Sequence, residues 1–200
     1  MLDVGSADGP SVSWMSGGHD RVALDVDPRG LVPGSGVCGS ALALPFADRT
    51  FDVVGAFDVL EHCAPEQRAV AELFRVLEPG GRLLASVPAY TWAWTEHDVR
   101  AGHHRRYTRT RLVRALELDG FDVLRATYGF AAVFPVFAAE RLARRARERR
   151  GTAPPLRGLP QVSPVVDRLL TGVCRAEARV LRSRDLPLGS SVFVAARRPG

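Results

Sequence analysis

Short apolar runs alternate with amphipathic stretches along this 200-residue chain, and that alternation narrows the fold more than any other feature. "LDVG" at Leu2 to Gly5 reads as the end of a buried strand. "RVALDVD", Arg21 to Asp27, is a second apolar run ending in acids, and "FDVVGAFDVL" opens a third with Val53, Val54 and Phe57 as its body. In "APEQRAVAELFRVLEPGG" the residues Val70, Leu73, Phe74 and Leu77 recur at helical spacing, and Pro79-Gly80-Gly81 ends the pattern. "GRLLASVP" is again a strand. "TRTRLVRALELDG" is an amphipathic helix with Leu112, Ala115 and Leu116 inward, a cap at Thr108 or Thr110, and Gly120 closing it. "FDVLRATYGF" and "SSVFVAARRP" complete the strands. Such alternation predicts an α/β chain whose parallel sheet is covered on both faces.

Between the last two strands lies a helical insertion over residues 131–188. It holds the Arg-rich helix Phe134 to Arg150, a Pro/Gly-rich break, and a second helix from Pro164 to Arg182. The break reads as a hinge or loop, so one domain over residues 1–200 is expected. Hydrophobic residues make up 46% of the chain, enough for one sizeable core. Net charge is +5, yet every non-histidine cation is Arg: Lys, Ile and Asn are all absent. A GC-rich genome explains that gap, so the charge argues only weakly for nucleic acid or lipid. Cys38, Cys63 and Cys174 are scattered and suggest neither a disulfide framework nor a zinc site, and no metal ligands are assigned. The expected location is the cytoplasm. Membrane-surface contact is a second expectation, with Phe134, Val136 and Phe137 entering the lipid boundary and arginines meeting anionic headgroups; the plainer reading is a surface helix with Glu140 and Glu148 in local ion pairs.

A Gly-containing turn after strand one sits at the carboxyl edge of the sheet, where ligands bind. "LDVGSADG" fits the dinucleotide pattern G-x-G-x-x-G only at Gly5. It fits D-x-G-x-G-x-G at Asp3, Gly5 and Gly9 and fails at Ala7, whose methyl is tolerable at negative φ and costly at positive φ. Asp25, where strand two ends, can accept hydrogen bonds from both hydroxyls of a ribose; Asp27 is the alternative, or simply the start of a turn.

"GVCGSALALPFADRTFDVVGAFDVLEHC" and "RVLEPGGRLLASVP" follow in order. With the opening loop they resemble the ubiquinone- and menaquinone-type, type 11 group of class I methyltransferases, which use S-adenosylmethionine (SAM). The resemblance runs from about Leu2 to Tyr128 and includes "LPLGSSVFVAARRP" as the last strand. It implies a Rossmann-like, doubly wound, mostly parallel sheet with an antiparallel last strand. It implies SAM as cofactor, held by Asp3, Gly5, Ser6, Ala7, Gly9, Asp25, Val26, Ser40, Ala41 and Phe57. Ser40 stands where the group usually has an Asp for the adenine amino group, which predicts weaker adenine recognition. The chain also starts inside the group's first strand, so a truncated N-terminus is expected.

The implied activity is methyl transfer to the oxygen, carbon or nitrogen of a small molecule, such as a lipid-linked, glycosyl or secondary-metabolite compound. A base should lie beyond the strand ends. Glu61 and His62 are the first candidates; in the alternative, Glu61 caps a turn and His62 packs beside the cofactor. After the fifth strand, "PAYTWAWTEHDVRAGHHRRYTRTRL" supplies His97 as a further catalytic candidate. Its Trp92, His103, Arg105, Arg106 and Tyr107 form an expected acceptor wall, the arginines holding phosphate or carboxylate. A solvated loop with Tyr107 stapling the next helix is the competing reading. A noncatalytic protein of this fold, a regulator or partner subunit, is the second function, favoured by Ala7, Ser40 and the expected truncation. An RNA methyltransferase is the third, and nucleic acid is not the expected partner because no accessory RNA module or "NPPY"-like motif is present. Oligomeric state is not legible.

Overall fold

The computed structural model describes residues 1–7, 15, 20–31, 36–152 and 163–200. Its strands are β1 (Leu2–Val4), β2 (Val22–Asp25), β3 (Gly36–Cys38), β4 (Phe51–Phe57), β5 (Leu77–Pro88), β6 (Asp122–Gly129) and β7 (Ser191–Arg197). Its helices are α1 (Glu66–Val76), α2 (Glu96–Arg100), α3 (Arg109–Leu118), α4 (Phe134–Arg149) and α5 (Pro164–Leu181). Among the described residues, seven strands form one sheet in the order β3-β2-β1-β4-β5-β7-β6. β1 to β5 pair in parallel. β7 inserts between β5 and β6 and runs antiparallel to both. Strand order reverses between β1 and β4, so the loops leaving these two strands diverge and open a crevice at the carboxyl edge.

The core follows from the apolar runs. Leu2, Val4, Leu24, Val54, Leu83, Val87 and Val192 are fully buried within the sheet. α1 buries Ala69, Val70, Leu73 and Val76 and packs on β5. α3, capped by the Thr108 hydroxyl accepting from the Arg111 N–H at 3.2 Å, buries Leu112 and Leu116 against β6. Ala115 is only half-buried.

One helix boundary differs from its periodicity. Leu77 continues the apolar spacing of α1, but it is extended (φ −74°, ψ 141°) and opens β5. Pro79 disfavours helical backbone just before it. A residue far along the chain closes the end instead. The Arg198 guanidinium donates to the carbonyls of Phe74, Arg75 and Leu77 at 2.9, 3.1 and 2.8 Å. It also lies over the Phe74 ring, 4.6 Å from its centroid.

The two matched sequence blocks are tied to each other. From α1, Arg75 donates to the carbonyls of Phe46 and Leu44 and to the Asp48 carboxylate at 2.8–3.0 Å. Glu72 accepts from the Leu44 N–H at 2.6 Å and holds Arg75 from the other side. "RVLEPGG" thus fastens "LALPFAD", which explains in physical terms why these segments go together.

Among the described residues, the insertion holds two helices. α4 is tied to α2 through Arg144, which reaches Glu148 at 3.0 Å and Glu96 at 3.6 Å. Its Phe134 packs edge-on to Trp92, 6.3 Å between centroids, and tilted on Tyr90 at 5.5 Å. Phe134 and Phe137 therefore face the protein, contrary to a lipid-entering role, whereas Val136 is exposed. The local pairs are present: Glu140 with Arg141, Glu148 with Arg144. α5 buries no side chain, and its Glu177 accepts from the N–H groups of Phe130 and Ala132. No helix among the described residues is long and apolar enough to cross a membrane.

Candidate active site

Two adjoining cavities occupy the carboxyl edge of the sheet. The first, about 400 Å³, lies in the crevice between the loops after β1 and β4. Val4 and Gly5 form one wall, Leu24 to Val26 and Gly39 to Leu42 the next, and Asp58, Val59, His62 and Cys63 the third. Gly5 takes φ +71°, and a Cβ there would sit 2.6 Å from Val59 Cγ2, so only glycine fits the turn without displacement. The Gly5 and Ser6 N–H groups donate to the Leu24 carbonyl at 2.8 and 3.2 Å. The Asp25 carboxylate accepts from Ala7 N–H at 2.9 Å and from Asp27 N–H at 2.8 Å, which latches the turn onto the end of β2.

Of the residues expected to hold the cofactor, Gly5, Asp25, Val26, Ser40 and Ala41 line this cavity, and His62 joins them. Asp3 does not. It is fully buried inside β1, and its carboxylate meets Arg21 at 3.4 Å. Ser6 is buried behind the turn, and Ala7 and Phe57 are off the lining. Gly9 lies outside the described residues. Ala7 adopts φ +46°, the costly case for a residue with a Cβ. The Ser40 hydroxyl accepts from Leu42 N–H at 3.1 Å, so one of its two lone pairs is taken. Asp27 is a turn residue: it caps Pro28–Gly30, and bonds from Arg29 pull its exposed carboxyl down to about 2. Cys63, Val59 and Asp58 were not foreseen on this wall; for Asp58 the available signal was its place just before "VLEH", where β4 ends.

The second cavity, about 260 Å³, is lined by Asp58, Glu61, His62, Pro88, His103, Arg106, Phe137, Ser190 and Ser191. It shares Asp58 and His62 with the first. Asp58 takes φ +53°, a strained backbone placed where the two cavities meet. Glu61 and His62 lie in the 3-10 turn Leu60–His62. Burial drives the Glu61 carboxyl up to about 8, raises Asp58 and lowers His62. The His62 and His103 rings meet edge to face, 4.6 Å between centroids.

Asp98 organises the far wall. It sits at the third position of α2, fully buried, and completes a reciprocal cap with Thr95. It accepts from Thr95 N–H at 2.9 Å and Arg106 Nε at 2.7 Å, and pairs with His103 Nδ1 at 2.9 Å. Burial alone would raise its carboxyl, but the bonds from His103 and Arg106 hold it far below the usual range.

The residues expected along the acceptor wall separate. His103 and Arg106 line the cavity, while Arg105 turns away to the carbonyls of Leu60 and Cys63. Tyr107 is fully buried beneath Arg111, 5.1 Å from guanidinium to ring centroid, which is the stapling role. Trp92 stacks on Tyr90 at 5.7 Å and serves the contact with α4. His97 is exposed on α2 and lines neither cavity, because the capping geometry turns Asp98, its neighbour, inward instead.

Residues 2–85 match the sequence profile described as a methyltransferase domain. A methyltransferase of Mycolicibacterium gilvum is 30% identical over 163 residues, covering 68% of this chain and 64% of that protein. A Mycolicibacterium smegmatis protein named for S-adenosylmethionine-dependent methyl transfer is 37% identical over 87 residues, 42% of this chain and 34% of its own length. The chain thus spans less than two thirds of these relatives. A SAM-dependent methyltransferase from Archaeoglobus fulgidus superposes with a TM-score of 0.60 at 16% identity, covering 98% of this chain and 85% of that one; that likeness shows the fold. Residues 2–85 thus carry the methyltransferase domain of the type 11 profile, and in strand order and named relatives the chain is similar to class I SAM-dependent methyltransferases.

Proposed function

We propose that this chain binds SAM in the first cavity and directs its methyl group to a small molecule in the second. The observation that carries the reading is that the two cavities share Asp58 and His62 as lining residues. The residues present fit the cofactor. A side-chain-free turn at Gly5, a half-buried carboxylate at Asp25 and a hydroxyl at Ser40 line a space within the range of small-molecule sites, about 300–1,000 Å³. SAM supplies, when bound, an electrophilic methyl group on a sulfonium. The protein's part is alignment, exclusion of water and management of the acceptor's proton. Asp25 would hold ribose hydroxyls with the lone pairs left over from Ala7 and Asp27, and Ser40 and Ala41 would face the adenine. Phe137 gives the acceptor an apolar wall; Arg106, Ser190 and Ser191 give it polar contacts.

Calorimetry with SAM, followed by transfer of labelled methyl into an extract, tests this. Asp25→Ala should weaken SAM binding by about 10- to 100-fold, the worth of hydrogen bonds to a charged group. Unchanged affinity would remove Asp25 from the cofactor site. A noncatalytic subunit is the second reading, supported by Ala7 at positive φ and by the partly used Ser40 hydroxyl; SAM binding without transfer to any acceptor would favour it.

A further inference from the structure

Glu61, His62 and His103 each offer one ligand atom, and these atoms lie within 4.8 Å of one another in the second cavity. Glu61 is 1% exposed, and its Oε2 has no hydrogen-bond partner among the described residues. A buried carboxylate oxygen with nothing to accept is expensive unless a cation or donor arrives. Arg106 does not fill that role: its Nε is given to Asp98 and its Nη1 to the Ala89 carbonyl.

The surroundings resemble those of a metal site in a second, independent way. A ligating histidine usually donates its other ring N–H to a carboxylate, which fixes the tautomer and leaves a lone pair for the metal. His103 is so placed, with Nδ1 at 2.9 Å from Asp98 and Asp98 itself fixed by Thr95 N–H. Nε2 is then the ligating atom. Local charge agrees: Asp58, Glu61 and Asp98 stand against the Arg106 guanidinium around the two imidazoles.

We infer that Glu61, His62 and His103 form a site for a divalent transition-metal ion, whose open positions take an oxygen donor of the acceptor. Two imidazoles and a single carboxylate favour first-row ions such as Zn²⁺, Mn²⁺, Fe²⁺ or Co²⁺ over Mg²⁺ or Ca²⁺, which prefer all-oxygen sets. The inference rests on the proposed function for its choice of acceptor: a hydroxyl-bearing compound methylated on oxygen. The ion itself is independent of it.

Co²⁺ is the probe. Tag-free protein is titrated with Co²⁺ and followed by visible absorption and by equilibrium dialysis, with SAM affinity measured on the same samples. Saturable binding is expected, weakened at least about tenfold by Glu61→Gln and by His103→Ala. His97→Ala, on the exposed face of α2, serves as the histidine control and should bind as the parent does. Glu61→Gln preserves shape, and a urea-unfolding transition like the parent's shows, independently of SAM, that each variant is folded. Binding lost in those two variants upholds the site whether or not methyl transfer is ever found. Absence of Co²⁺ binding by folded parent protein overturns it, as does equal affinity in the Glu61 and His103 variants.

Discussion

The two cavities share Asp58 and His62 but are built by different means. The cofactor-side cavity is set by short local elements: strand ends, a glycine turn at φ +71°, and the segment from Gly39 to Leu42. The acceptor-side cavity draws its lining from segments far apart in the chain: a 3-10 turn, a loop, an insertion helix and the start of β7. Its frame is one buried carboxylate, Asp98, with its ring of donors. A wall set by local turns keeps its shape when one ion pair elsewhere is lost. A wall hung on a buried ion pair does not.

Arg106→Ala is the strongest way to break that contrast. Removing one partner of a buried pair typically costs about 3–5 kcal/mol; about 3 is expected here, because His103 still faces Asp98. Urea unfolding measures it. Arg105→Ala, one residue earlier, removes bonds to two turn carbonyls and should cost less. Equal losses for both would show that Asp98 is not the frame.

These two arginines also show where sequence reading stops. Six of the strands, the four longer helices, the α/β class and the carboxyl-edge position of Gly5 and Asp25 follow from period and turn chemistry, which are local rules; the short β3 and α2 escaped them, and Ser40 and the antiparallel last strand came from the family resemblance. Which of two adjacent arginines faces the cavity depends on Asp98, and Asp98 turns inward because Thr95 makes a reciprocal cap with it. That cap, T-E-H-D, is a local signal that would have pointed to Asp98 rather than His97. Nothing local foretells that Arg198 closes α1, or that Phe137 reaches the acceptor cavity: both are contacts between segments far apart in the chain. The resemblance to a family placed Asp3 at the cofactor, yet the strand encloses its side chain.

Away from both cavities, where β4 and β5 begin, α1 offers a third case. Arg198→Ala strips donors from the Phe74, Arg75 and Leu77 carbonyls and should destabilise by about 2 kcal/mol, within the range for charge-assisted hydrogen bonds. The midpoint of urea unfolding should fall with the slope unchanged. A shift under a few tenths would mean that water replaces the guanidinium without loss.

A smaller effect is expected at the latch between α1 and "LALPFAD". The hydrogen bond from Arg75 lowers the Glu72 carboxyl from its usual 4.5, with burial opposing. A lowered carboxyl contributes stability that is fully present above its unfolded value and lost as pH falls through the folded one. Glu72→Gln should therefore cost about 1 kcal/mol near neutral pH. The gap between the variant and the parent should close below pH 4.5. A gap independent of pH would show that packing, not charge, holds the latch.

The smallest effect is the most pointed, because it sits in the turn that borders the first cavity. Ala7 holds φ +46°, next to a Gly5 that the turn requires. Left-handed backbone costs an L-residue roughly 1–2 kcal/mol. The Asp25 carboxylate holds Ala7 N–H at 2.9 Å and helps fix that conformation against its strain. Ala7→Gly removes the strain, but glycine has more freedom to lose on folding, roughly 0.4–1 kcal/mol. The difference should leave the variant more stable by under about 1 kcal/mol. SAM affinity should rise in step, since the turn would be held in its bound shape at lower cost. A variant that gains stability without affinity would show that the turn is already in its binding shape. A variant that loses stability would show that the Ala7 methyl makes a contact worth more than the strain at this turn.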